Sequence, residues 1–272
     1  MAAQGDRRIG FIGVGNQGGP LAMRLIQAGH QITVFDLDPK ALERFAEAGA
    51  AIAGSAAEVG AVCDFVEICV LDDDGVRDVV AGPSGLLTTM APGGIIAVHS
   101  TVLPETCRRL AHDAARQEVV LIDTPVTGGA ARAELGEMVV MIGGDAASVD
   151  VCRAIFPAFA TTIVHLGPVG AGQNAKAINN AVMAANLVLA HEAFETGEAL
   201  GLDPDALAEV LSNGSASSFA MGVRISLKTL KGFDHGARLL KKDVGILRQS
   251  CSAPAAREIV AVADRLQHYV WD

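Results

Sequence analysis

Arg8-Ile9-Gly10-Phe11-Ile12-Gly13-Val14-Gly15-Asn16-Gln17-Gly18 is the stretch that decides how this chain folds. Arg8 to Ile12 is a short apolar run of the kind that forms a buried strand. It leads into Gly-x-Gly-x-x-Gly at 13–18, and a helical run follows from Gly19 to Ala28, ended by Gly29. A second apolar run, Ile32-Thr33-Val34-Phe35, stops at Asp36. Strand, glycine turn, helix, strand and terminal acid, in that order, are the context in which such glycines bind a dinucleotide. Gly13 permits the tight turn, Gly15 lets backbone approach a pyrophosphate, and Gly18 lets the helix pack close to the strand. The pyrophosphate then lies against residues 13–18, Val14, Asn16 and Gln17 included, at the positive end of the helix. Asp36 is placed to bond the adenosine ribose hydroxyls. A 2′-phosphate would need a cation there, whereas Asp36-Leu37-Asp38 offers two carboxylates, so the expected cofactor is NAD rather than NADP.

Working outward, strand and helix patterns alternate. Helices are expected over 39–48, 55–61 and 104–117, with a further helix capped by Asp72-Asp73-Asp74 and reaching about Ala81. Strands are expected over 50–53, 64–71, 94–100 and 119–123. Such alternation makes a mostly parallel, doubly wound sheet. A strand over 137–142, a helix over 145–156 and a strand over 162–165 complete it, so the sheet domain ends near Leu166. No strand pattern follows. Helices are expected from Gln173 onward, from Asp203-Pro204 to Leu211, and over 219–230, 238–251 and 253–270. The fold class is therefore α/β followed by an all-α part, with residues 1–166 as one domain and 167–272 as the other.

The chain has 272 residues, half of them hydrophobic and 19% charged, as in folded globular proteins. A net charge of −10 argues against nucleic acid and anionic membrane surfaces as partners. The longest apolar run, 181–190, is too short to span a bilayer and is interrupted by Asn186. The five cysteines are widely spaced and contain no Cys-x-x-Cys, which fits a reducing, cytoplasmic setting without disulfide or zinc. His191 and Glu195 make His-Glu-x-x-Glu, without the second histidine of a zinc motif, and are expected to be a surface pair. His99 and His235 are expected to be structural or solvated, and no metal site is expected.

Ligands on such a sheet bind off the carboxyl ends of the strands. The candidate ends are 13–18, Asp36, Val70-Leu71, Ser100-Thr101 and Thr124-Pro125-Val126-Thr127-Gly128-Gly129-Ala130. Thr127 and the two glycines offer consecutive N–H groups and a hydroxyl. That arrangement suits a carboxylate, although by itself the segment reads first as an ordinary Pro/Gly turn. The glycines at 167, 170 and 172 read as a flexible approach to the next helix. In that helix Lys176 and Asn180 lie one turn apart. A lysine is seldom buried without a partner or a job.

Four segments stand in a fixed order: Gly-Phe-Ile-Gly-Val-Gly-Asn-Gln-Gly (10–18), His-Ser-Thr-Val-Leu-Pro (99–104), Asp-Thr-Pro-Val-Thr-Gly-Gly (123–129) and Gly-x-x-Gly-x-Gly-x-x-x-Lys-x-x-Asn-Asn (167–180). Lys-Lys-Asp-Val (241–244) follows. Over nearly its whole length the chain resembles the β-hydroxyacid dehydrogenase family. The resemblance implies a Rossmann-type first domain, a long interdomain helix and a helical second domain. It implies that Lys176 is the catalytic lysine, that Asn180 helps hold the substrate, and that Thr127, Gly128 and Gly129 bind its carboxylate. It implies that Val70, Leu71 and Thr101 line the cofactor and that Lys242 sits near the nicotinamide. Two departures bear on the pocket: Gln17 stands where the family usually has Met, and Thr127 where it usually has Ser. Segment 233–237 matches no family pattern.

The expected reaction is reversible hydride transfer between NAD and C3 of a short 3-hydroxy acid, or reduction of the matching semialdehyde. A hydroxyl gives up hydride only as it loses its proton, so Lys176 is expected as general acid/base. Free lysine titrates at about 10.4, and burial beside a cationic ring favours its neutral form. An imine-reducing relative is the nearest alternative, and relatives of that kind usually replace the lysine. A non-catalytic NAD-binding module is the other, and it would be expected to have lost one of these groups. The long apolar helix points to a homodimer or homotetramer, and the substrate to a small anionic hydroxy compound.

Overall fold

The computed structural model describes residues 7–271. They form two compact units, one ending at Lys176 and the other beginning at Ala177.

The first unit alternates β1 (Ile9–Ile12), α1 (Gly18–Gln27), β2 (Ile32–Phe35), α2 (Pro39–Glu47), β3 (Ala51–Ile52), α3 (Ala56–Val62), β4 (Phe65–Ile68), α4 (Asp73–Ala81), β5 (Ile95–Val98), α5 (Pro104–Ala115) and β6 (Val120–Asp123). Then come β7 (Val126–Thr127), α6 (Gly129–Leu135), β8 (Met138–Gly143), α7 (Ala146–Ile155) and β9 (Ala160–Gly167). The strand order is β3-β2-β1-β4-β5-β6-β8-β7, with β9 pairing β8. β1 to β6 are parallel to one another, while β8 runs antiparallel to β6 and β7 and parallel to β9. The order reverses at β1, so the first glycine turn opens at the topological switch point.

Several helices begin where a short polar side chain replaces a missing backbone acceptor. Asp38, Ser55, Asp72 and Asp145 accept from Lys40, Glu58, Gly75 and Ser148 N–H respectively. The central strands β1, β4 and β5 are buried on both faces, so they read as largely apolar runs. On one face Phe11, Leu21, Leu25, Phe45, Phe65 and Phe156 pack together. On the other, Ile12, Val59, Val66, Val76, Val98 and Leu110 do.

The second unit is helical. α8 (Ala171–Ala199) starts in the first unit and continues into the second, followed by α9 (Pro204–Asn213), α10 (Phe219–Leu227), α11 (Asp234–Ser250), α12 (Pro254–Asp264) and α13 (Leu266–Trp271). Asp203 and Ser218 cap α9 and α10.

The structure corrects the sequence reading in places. The carboxylate-loop region contains a short strand and a helix, β7 and α6, that turn-rich composition concealed. The last helical run is broken between Asp264 and Leu266. Gly197 lies inside α8, where a Cβ would come 2.3 Å from Leu207 Cδ2 on α9. Gly172 is likewise inside α8, not in a flexible approach. His191 is not at the surface: it is 9% exposed, accepts at Nδ1 from Arg224 Nε at 3.1 Å, and stacks edge-on against Tyr269.

Candidate active site

The glycine turn meets two demands at once. Gly13 has φ +89°, and a Cβ on it would lie 2.4 Å from the Cys69 carbonyl oxygen. A Cβ on Gly18 would lie 2.0 Å from Gly13 O. These two are glycine for the protein's own packing. Gly15 is different. Its φ is ordinary for an L residue and no atom lies within 4 Å of the Cβ position. The fold gives no steric reason for glycine there, which leaves the approach of a ligand. Gln17 Nε2 adds to this: it is shut from solvent and meets no acceptor among the described residues. A buried donor without an acceptor is costly, and a phosphate or amide oxygen of a cofactor would supply one. The residues present therefore fit a dinucleotide.

Asp36 ends β2 and its carboxylate serves the turn. Oδ2 accepts from Val14 N–H at 2.7 Å and Oδ1 from Asp38 N–H at 2.9 Å. Arg44 Nη2 donates to Val14 O at 3.0 Å from α2. Leu71, beyond β4, is 72% exposed, and Val70 N–H donates to Ser100 Oγ at 2.8 Å, which ties the β4 and β5 ends together.

Beyond β6, Thr127 sits in β7 opposite Val139. Gly128 (φ +142°) and Gly129 (φ +77°) follow in backbone conformations that L side chains rarely adopt. Nothing lies within 4 Å of the Cβ position of Gly129, so its backbone is open to approach.

Lys176 is 8% exposed and stands in the first turns of α8. The start of that helix is bound to the sheet edge by two side chains that sequence reasoning did not single out. Asp123, at the end of β6, accepts from Gly170 N–H at 2.6 Å and Gln173 N–H at 2.8 Å. Gln173 Nε2 donates to Ser100 O at 2.8 Å, and its Oε1 accepts from Val102 N–H at 3.1 Å. Burial pushes the Asp123 carboxyl up to about 6, against the lowering by its backbone donors.

Beneath this edge, the alternation of β4 turns Glu67 into the aromatic side of the sheet. Glu67 Oε2 lies 2.7 Å from His99 Nε2, and His99 Nδ1 lies 2.8 Å from Thr124 O. Phe11, Phe156 and Phe159 ring the imidazole. A glutamate at an inward position of an apolar strand was the available signal. His99 is thus structural and buried.

In the second unit, Asn180 Nδ2 donates to Asp243 Oδ2 at 2.5 Å, and its Oδ1 accepts from Asn179 Nδ2 at 2.9 Å. Lys242 Nζ lies 3.2 Å from Asp243 Oδ1. Asp243, 4% exposed, therefore holds Asn180 and lies within ion-pair distance of Lys242. Its place beside Lys242 in the 241–244 segment was the clue. Among the described residues no group of His, Cys, Asp and Glu could hold a metal ion, and no helix is long and apolar enough to cross a membrane.

Comparison with known proteins agrees with this geometry. Residues 8–167 match the NAD binding domain of 6-phosphogluconate dehydrogenase. Residues 170–268 match the NAD-binding family of NADP-dependent 3-hydroxyisobutyrate dehydrogenase. A probable mitochondrial 3-hydroxyisobutyrate dehydrogenase of Dictyostelium discoideum is 32% identical over 93% of this chain and 82% of its own length. An NAD-dependent L-serine dehydrogenase of Pseudomonas aeruginosa is 34% identical over 92% of this chain and 87% of its own. The solved structure of Mycobacterium tuberculosis 3-hydroxyisobutyrate dehydrogenase with L-serine superposes with a TM-score of 0.82 at 26% identity, covering 96% of this chain and 94% of that one. The two models between them name both an NAD-binding domain and an NADP-dependent enzyme, so family membership alone does not choose the coenzyme. With its NAD(P)-binding sheet domain, its helical C-terminal part and relatives that oxidise small hydroxy acids, the chain belongs to the β-hydroxyacid dehydrogenase family.

Proposed function

We propose that this protein is an NAD-preferring dehydrogenase of short 3-hydroxy carboxylates, or a reductase of the matching semialdehydes, with Lys176 as general acid/base. The observation that carries the reading is a lysine, 8% exposed, on a helix whose first turn is bonded to the carboxyl ends of β5 and β6, the same edge of the parallel sheet from which the glycine turn after β1 opens. The nicotinamide, when bound, supplies the redox chemistry. Lys176 Nζ takes the proton of the substrate hydroxyl in oxidation and returns it in reduction. Thr127, Gly128 and Gly129 hold the carboxylate and so select which hydroxyl is presented. Asn180 steadies the substrate, and Gly13 to Gly18, Asp36, Val70, Leu71, Thr101 and Lys242 serve the cofactor. Residues 1–166 are the cofactor domain and 167–272 the helical one. 3-Hydroxyisobutyrate and L-serine, named in the relatives, both carry a hydroxyl on C3 of a carboxylic acid, and that is the class proposed here.

The preference for NAD rests on Asp36 and Asp38, two carboxylates at the end of β2 that disfavour a 2′-phosphate. A homodimer or homotetramer is supported by apolar side chains left exposed along α8. Ile178 is 49%, Val182 39% and Leu189 54% exposed, at spacings of four and seven residues. A cytoplasmic setting is supported by five free cysteines.

The test is NADH formation by the purified protein over a panel of short hydroxy acids, with NADP in parallel and with Lys176→Ala alongside. Turnover of one or two 3-hydroxy acids, lost in the variant while NADH still binds, is the expected result. Near-normal kcat in Lys176→Ala would refute the assignment of the base.

A further inference from the structure

Thr101 is bracketed by a single side chain. The carbonyl before it, Ser100 O, accepts from Gln173 Nε2, and the N–H after it, of Val102, donates to Gln173 Oε1. One amide thus clamps both flanks of the loop that follows β5. Gln173 is fully buried, its side chain held at both ends of the amide and its backbone N–H held by Asp123 Oδ2. Three residues further along the same helical turn stands Lys176. The loop proposed to line the cofactor and the helix that carries the proposed base are therefore spaced by one residue's geometry.

The surroundings are shaped to keep this arrangement. A Cβ on Gly143 would lie 2.4 Å from Asp123 Oδ1, and one on Gly172 would lie 2.9 Å from Asp123 Oδ2 and 2.4 Å from Met141 O. Glycine at both positions leaves room for the carboxylate under the helix start. Asp145 caps α7 as an ordinary exposed cap, and its hydrogen bonds to Ser148 draw its carboxyl down. Asp123 is the opposite case: its burial disfavours the charge that makes it a good acceptor. Groups set at odds with their surroundings gather at functional sites.

We propose that Gln173 is a positioning residue that, seated by Asp123, fixes the distance between Thr101 and Lys176 and so sets the rate of proton and hydride transfer without itself touching substrate. This rests on the reading of Lys176 as the base. Misplacement of a reacting group by about 1 Å costs on the order of 100-fold in rate. Loss of the clamp therefore shows in kcat and leaves NADH affinity largely as it was.

The experiment is a cycle of Gln173→Met, Lys176→Ala and the double variant, read by single-turnover rates on the best substrate, NADH titration and thermal unfolding. Gln173→Met keeps the length and removes the hydrogen bonds, and about a 100-fold fall in rate is expected from the misplacement cost above. NADH affinity should change less than about threefold, as for a residue acting on the chemical step rather than on binding. Gln173→Glu keeps the acceptor for Val102 N–H and loses the donor to Ser100 O, and should recover part of the rate. It also serves if Gln173→Met folds poorly. Because Gln173 works through Lys176, the double variant should be no slower than Lys176→Ala. A wild-type rate in Gln173→Met, or effects that multiply in the double variant, overturns the positioning role and leaves the lysine reading intact. A near-normal rate in Lys176→Ala overturns both.

Discussion

The backbone N–H of Val14 donates to the Asp36 carboxylate at 2.7 Å, so the acid at the end of β2 braces the glycine turn after β1. Asp36 is thereby oriented before any cofactor arrives. Each carboxylate oxygen has two acceptor positions, which leaves capacity for a ribose diol. Asp36→Ala removes the brace and the repulsion of a 2′-phosphate together. NADH affinity should fall by about 10-fold or more, the loss of one or two hydrogen bonds to a charged group, while NADPH loses less. Fluorescence titration with both coenzymes measures this. Tighter binding of NADPH than NADH by the unaltered protein would sink the prediction.

Glu67 and His99 are expected to stand or fall as a pair. Thr124 O can only accept, so His99 Nδ1 carries a hydrogen, while Nε2 meets Glu67 Oε2 at 2.7 Å. Glu67→Ala leaves the imidazole Nε2 without a partner among phenylalanines and should cost about 3 to 5 kcal/mol. Replacing both, as Glu67→Leu with His99→Phe, should cost less than either single change. Urea unfolding followed by far-ultraviolet circular dichroism decides it, and a double variant less stable than both singles would count against the argument.

Two helical glycines should respond differently to alanine. At Gly172 the new Cβ meets backbone, Met141 O at 2.4 Å, as well as the Asp123 carboxylate. Gly172→Ala is expected to be strongly destabilised and to lose turnover. At Gly197 the obstacle is the tip of Leu207, a side chain on a helix with no buried residue. The tip can swing away, and alanine gains up to about 1 kcal/mol of helix propensity. Gly197→Ala should unfold within a few degrees of the parent in a thermal melt.

Acid should weaken the helical unit through His191. Arg224 cannot accept a hydrogen bond, so His191 Nδ1 must be the bare nitrogen, and protonating it would place two cations together. Burial first, and then Arg224, hold its pKa below the ordinary 6.5, against the pull of Glu195 and Glu192. The unfolded chain therefore takes up the proton first. This contribution to stability is complete above pH 6.5 and is lost as pH falls below it. Trp271 is the single tryptophan of the chain and lies in this unit, so its fluorescence in urea at pH 5 to 8 reports the effect. His191→Gln should flatten the pH dependence. Asp123 acts with the opposite sign in the first unit. Its folded pKa of about 6 exceeds the ordinary 3.8, so its contribution is greatest below 3.8 and is lost as pH rises through 6.

The alternation of strands and helices, the dinucleotide turn, the helix caps at Asp72 and Asp203 and the five family segments were legible in the residues themselves. Each rests on neighbours two to four positions apart, where side-chain period, missing N–H partners and glycine conformation act locally. The short strand and helix at 126–135 escaped because Pro and Gly there resemble a plain turn. Asp123 over Gly170 and Gln173, Glu67 against His99, and Asp243 under Asn180 lie 47 and 50, 32, and 63 residues apart. No periodicity carries such pairs. They exist because parallel strands bring their carboxyl ends to one edge and helices pack side by side. Water is then excluded, and each buried polar atom must find whichever partner the closed fold has placed within 3 Å.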